Sequence, residues 1–138
     1  MKIIALKGGV NSGKSHTINI VYHFLLRDGY TQLPGHFRIL GNPKFEDVID
    51  ILIKKGIKIG LIGMGDYQKG IDSLASLIME LEIKGCDVVI CSCRNIPKIE
   101  MAVTNYPNHF FVDKTPSSGD DNNRIVNVFD AERVVTLI

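Results

Sequence analysis

Apolar residues fall into short blocks separated by glycine- and proline-containing stretches, and the spacing inside each block predicts its element. Lys2-Ile3-Ile4-Ala5-Leu6 is a run of strand length. Ser15 to Leu26 places Ile18, Val21 and Leu25 on one helical stripe, and Gly29 is a natural stop after it. Residues 29 to 45, with Pro34, Gly35, Gly41 and Pro43, form an irregular stretch around a short strand candidate, His36 to Leu40. Phe45, Val48, Ile49 and Leu52 would line up on a helix, whereas Ile49, Ile51 and Ile53 alternate with Asp50 and Lys54 as in a strand. The β-branched residues and the Lys55-Gly56 pair favour the strand, as one arm of a 48–62 hairpin.

Ile57 to Ile62 reads as a buried strand, and Ile71, Leu74, Leu77, Ile78 and Leu81 as a helix stopped by Gly85. Another strand spans Cys86 to Cys93. A helix follows from near Pro97, with Asn95 as one candidate cap, and ends before Pro107. His109 to Asp113 is the last strand of the series. Residues 114 to 124 form a polar, mobile loop, and Asp121 or Asn122 would cap a final helix carrying Ile125, Val126, Phe129, Val134 and Leu137. This alternation predicts an α/β fold for residues 1–138 as one domain: a three-layer arrangement with a mainly parallel five- or six-stranded sheet and helices on both faces. The 48–62 hairpin would supply one antiparallel strand.

Composition narrows the function classes. With 16 basic against 15 acidic residues, the chain has no electrostatic case for nucleic acid or an acidic membrane surface. The opening apolar run is far shorter than a signal-peptide core and no transmembrane run is present, so a cytoplasmic protein is expected. Cys86, Cys91 and Cys93 are a poor disulfide framework and fit a reducing compartment. Cys91 and Cys93, two apart on a strand, lack a second ligand pair at zinc-like spacing and read as core side chains. The four histidines have no metal-ligand spacing either.

Between the first strand and the first helix lies Gly8-Gly9-Val10-Asn11-Ser12-Gly13-Lys14-Ser15. Glycines permit close backbone approach there, and the N–H groups at a helix start form a concave anion site. The residues resemble the Walker A motif of the P-loop NTPases. Lys7-Gly8-Gly9-Val10 is similar to the opening of the partitioning ATPases, but Asn11 and Ser12 put Lys7 out of register with that family's signature lysine. The P-loop resemblance implies a loop, with His16 just beyond it, that holds the phosphates of a nucleoside triphosphate. Lys14 would act as a solvated, mobile charge on the β- and γ-phosphates, and Ser15 as a Mg²⁺ ligand.

The resemblance also bears on the strand ends. Asp66, after Gly63-Met64-Gly65, is similar to a Walker B aspartate that holds Mg²⁺ through water; the competing reading is a cap for the next helix, and Asp113 is the next candidate for the metal's carboxylate. Tyr67, not glutamate, follows Asp66, which argues for slow hydrolysis. Arg94 could contact phosphates in cis, or be a solvated strand-end arginine. No Asn-Lys-any-Asp element stands near the last strand, so ATP is the default over GTP, with Mg²⁺ as the metal. Two uses remain open: an enzyme for slow hydrolysis or phosphoryl transfer, including a small nucleotide-kinase-like one, and a switch whose nucleotide orders residues 29–45 for a protein partner.

Overall fold

The structure, a computed structural model, describes residues 1–45 and 47–138, the side chain of Phe45 excepted. Strands β1 (Lys2–Gly8), β2 (Thr31–Gln32), β3 (Arg38–Ile39), β4 (Val48–Lys54), β5 (Ile57–Ile62), β6 (Val88–Arg94) and β7 (His109–Asp113) form one sheet. Its order is β2-β4-β5-β6-β1-β7, with β3 also on β4. The helices are α1 (Lys14–Arg27), α2 (Leu74–Ile83), α3 (Pro97–Thr104) and α4 (Asp120–Val135).

The period-two alternation of the strands divides the core in two. Ile3 and Ala5 of β1 join Ile49, Ile51, Val89, Cys91 and Cys93 under α2 and α3. Ile4 and Leu6 join Leu61, Val88 and Ile90 under Ile18, Val21 and Leu25 of α1 and Ala131 and Val134 of α4. The chain is thus a three-layer α/β domain. No described helix is long and apolar enough to cross a membrane.

The sheet is mixed, which corrects the expectation of a mainly parallel one with five or six strands. β1 pairs in parallel with β6 and β7, and β5 with β6. β4 runs against β5, β2 and β3. The β4–β5 hairpin turns on Lys55 (φ 50°) and Gly56 (φ 80°), two left-handed residues whose twist suits a two-residue turn. The helical alternative for residues 48–53 is excluded, and the part Phe45 would have played in it lies outside the described side chains. The short strand expected at 36–40 narrows to Arg38–Ile39.

Three helix readings need correction. α2 starts at Leu74 behind the cap Ser73, whose side chain accepts from the Ser76 N–H, and Ile71 is 87% exposed outside it. α3 is preceded by Ile96 with no side-chain cap, so Asn95 does not serve there. α4 begins at Asp120 after Gly119, shortening the expected loop and displacing Asp121 and Asn122 from the cap position. Its buried face is Asn127, Asp130, Ala131 and Val134, while Ile125 and Phe129 are exposed. The apolar spacing misled because two polar residues take buried positions, one of them, Asp130, satisfied by Lys114 and Thr115.

Candidate functional site

The glycine-rich loop connects the end of β1 to α1. Gly13 occupies the N-cap position at φ 90°, and no side chain caps the helix. The left-handed conformation at Gly13 favours glycine, and a Cβ there would sit 2.9 Å from Asn127 Oδ1, which would have to move aside. The N–H groups of Gly13, Lys14, Ser15 and His16 find no acceptor among the described residues, leaving the positive end of α1 open.

Lys14 is 6% exposed, and its Nζ donates to the Gly9 carbonyl at 2.6 Å. It is therefore a buried side chain folded back on its own loop, not the solvated one expected. Burial pushes its pKa below the ordinary 10.5, with attraction to Asp66 and repulsion from Arg94 as smaller effects. Ser15 Oγ donates to the Gly63 carbonyl at 3.0 Å, tying the start of α1 to the segment after β5.

That segment places Asp66. Gly65 lies so close to β6 that a Cβ would be 1.8 Å from the Ser92 carbonyl oxygen, and its own carbonyl accepts from the Arg94 N–H at 3.0 Å. Asp66 follows half-buried and, since Ser73 caps α2, has no capping role there. Asp113 is exposed and lines a different, smaller cavity of about 300 Å³ with Gly8, Gly9, Asn95 and Lys114.

Val10, Asn11, Ser12, Gly13, Lys14, Ser15, His16 and Asp66 line one cleft of about 690 Å³. Of the candidate residues, Gly8 and Gly9 line the smaller cavity instead and Arg94 is in neither lining. Arg94 is half-buried and near enough to Lys14 to be felt as a like charge.

Four residues of the neighbourhood escaped sequence reasoning. Asp47, just before β4, lines the cleft and is 7% exposed. Its carboxylate lies beside the Ser15 hydroxyl, whose single proton can serve either Asp47 or the Gly63 carbonyl. Burial pushes the Asp47 pKa up, Ser15 opposes that, and Asp66 adds to it. Asn127 contributes cleft wall from α4. Lys114 and Asp130 form an ion pair of 2.9 Å with side chains 1% and 0% exposed. Thr115 adds hydrogen bonds to Asp130 from its N–H (2.8 Å) and hydroxyl (2.6 Å), and the stem of Lys114 packs against Gly8 and Gly13. Burial raises the Asp130 pKa, but Thr115 and Lys114 outweigh it and hold the group below its ordinary value.

The donor set suits a phosphate-bound divalent cation. Ser12 Oγ and Asp47 Oδ1 are buried atoms of this site with no hydrogen-bond partner among the described residues. One is a hydroxyl that can donate to a phosphate, the other an acceptor for a metal's water. Among the described residues no three His, Cys, Asp or Glu side chains converge on a point, so a cation here would need phosphate oxygens as well, as Mg²⁺ commonly does. The three cysteines are buried free thiols, and burial raises the pKa of each, that of Cys93 to about 12. Comparison with protein-family models, with curated proteins and with solved structures finds no significant match to this chain.

Proposed function

We propose that this chain binds a nucleoside triphosphate, ATP by default, as its Mg²⁺ complex through a P-loop, and hydrolyses it slowly or transfers its γ-phosphoryl group. The observation that carries this reading is the open start of α1: four N–H groups with no acceptor among the described residues, directly behind a glycine-rich loop, with Lys14, Ser15 and Asp66 around the same cleft. An anion bound there would be held by the N–H groups and would draw Lys14 Nζ off the Gly9 carbonyl. Mg²⁺, when bound, would neutralise phosphate charge; Ser15 and Asp66 are the residues to hold it. Free, buried thiols agree with a reducing compartment such as the cytoplasm.

The switch reading draws support from the 29–45 strap. It pairs with β4 through β2 and β3 and exposes Phe37 and Ile39, apolar residues a protein partner could cover. Calorimetric titration with ATP, GTP and ADP, each with Mg²⁺ and with a chelator, followed by product analysis, tests both uses. Micromolar Mg²⁺-dependent ATP binding is expected; no binding of any nucleotide would overturn the proposal. Rapid multiple turnover would favour the enzyme, and binding without turnover the switch.

A further inference from the structure

We propose that Asp47 is the second carboxylate of the metal site, sharing with Asp66 the task of holding the water ligands of a nucleotide-bound Mg²⁺. The inference rests on the nucleotide-binding reading and deepens it. Three observations carry it. Asp47 lines the same cleft as Lys14, Ser15 and Asp66. It is 7% exposed, yet Oδ1 has no hydrogen-bond partner among the described residues. Its position is fixed by backbone on both sides: the Leu40 N–H donates to the Asp47 carbonyl at 2.8 Å, and the Gly63 N–H to the carbonyl of Val48 at 2.7 Å.

A buried carboxylate with an idle oxygen is costly unless something compensates it. Lys14 is the nearby cation, but its ammonium is engaged by Gly9, and on the proposed reading the triphosphate would claim it. Asp47 and Asp66 line one cleft, near enough for the Asp66 charge to act on Asp47, and a divalent cation relieves both that repulsion and the idle acceptor. Mg²⁺ gives up its water reluctantly and is often held by one or two carboxylates together with substrate phosphates, the donor set this cleft offers. The role is that of a positioning residue, acting on the metal's water.

The test compares Asp47→Asn with wild type and with Asp66→Asn, measuring ATP affinity in Mg²⁺ and in chelator by calorimetry. Melting temperature without ligand is the folding control. The ratio of the two affinities is the metal's contribution. In Asp47→Asn that ratio should fall by about tenfold or more, the usual scale for groups that orient metal ligands, while affinity in chelator is kept or improved. A Mn²⁺ electron-spin spectrum of the ATP complex should differ between Asp47→Asn and wild type. An unchanged ratio together with an unchanged spectrum in a folded Asp47→Asn protein overturns the assignment and leaves the nucleotide site standing. No ATP binding by wild type in either condition overturns both. Should Asp47→Asn not fold, Asp47→Ser, which is smaller and also uncharged, makes the same comparison.

Discussion

Lys14 already makes the hydrogen bond that a triphosphate would have to replace. Its loss in Lys14→Ala should cost about 1.5–3 kcal/mol of binding, as for a bond to a charged group. That is roughly ten- to a hundredfold in Kd. Titration of both proteins, with circular dichroism to establish folding, checks this; equal affinities would remove the loop assignment. The motif spacing was legible, but the burial of Lys14 was not. Its partner is a backbone carbonyl brought into range by a left-handed Asn11 (φ 55°) and Gly13, and no side-chain pattern encodes that. Gly65 is a similar case. A glycine between Met64 and Asp66 reads as a loop residue, whereas its reason is contact with the Ser92 carbonyl, so Gly65→Ala should displace Asp66 and weaken the Mg²⁺-dependent part of binding.

Among the elements, the hairpin was readable because Lys55-Gly56 both sets the turn and fixes the register. Once Ile49 faces Ile62, the chain before β4 returns to the sheet edge where β5 ends, and Asp47 arrives near Asp66. Carrying that register one step further would have found Asp47 in the sequence. α4 was misread for the opposite reason. Its buried positions include Asn127 and Asp130, and Asp130 is tolerated because Lys114 and Thr115 satisfy it from the end of β7 and Arg133 from α4 itself. Asp130→Ala would leave the Lys114 ammonium buried without its counter-ion and should cost about 3–5 kcal/mol in urea denaturation, much of it recovered in Lys114→Met with Asp130→Leu.

A milder electrostatic tie joins β3 to α2. The Arg38 guanidinium grips both Glu80 oxygens at 2.6 and 2.8 Å, and with help from Lys84 it lowers the Glu80 pKa from 4.5 to about 2 against the opposing effect of burial. The carboxylate form is favoured in the folded state. Its contribution is therefore complete above pH 4.5 and lost as pH falls through about 2. The pair is partly solvated and its effect correspondingly small. Acid titration of Glu80→Gln should show a shallower loss of stability than wild type across that window.

At the scale of the molecule, alternating blocks of apolar residues sufficed for an α/β fold with helices on both faces of a sheet, because strand and helix periods differ and both faces of the sheet are buried. Strand order was not legible. Nothing in β1 specifies that β6 and β7 will flank it, since all three are short apolar runs that could pair in several arrangements. The cleft gathers residues from the loop, both hairpin ends and α4, and the residue directly after Asp66 is an exposed Tyr67, not a carboxylate. Hydrolysis by the isolated protein should run well below roughly ten turnovers per second, the usual enzyme value, in a steady-state phosphate-release assay.

The placement of β1 between β6 and β7 has a kinetic consequence. The β4–β5 hairpin closes over a two-residue turn, whereas the strand leading into the glycine-rich loop finds its neighbours only from Val88 onward. Local pairings close cheaply and distant ones pay more loop entropy, so the hairpin should become protected early and the glycine-rich turn last. Pulse-labelled hydrogen exchange during refolding would order these events. On the proposed reading, a chain whose β1 has not yet inserted would be unable to hold nucleotide, and a ligand added during refolding should slow unfolding more than it hastens folding.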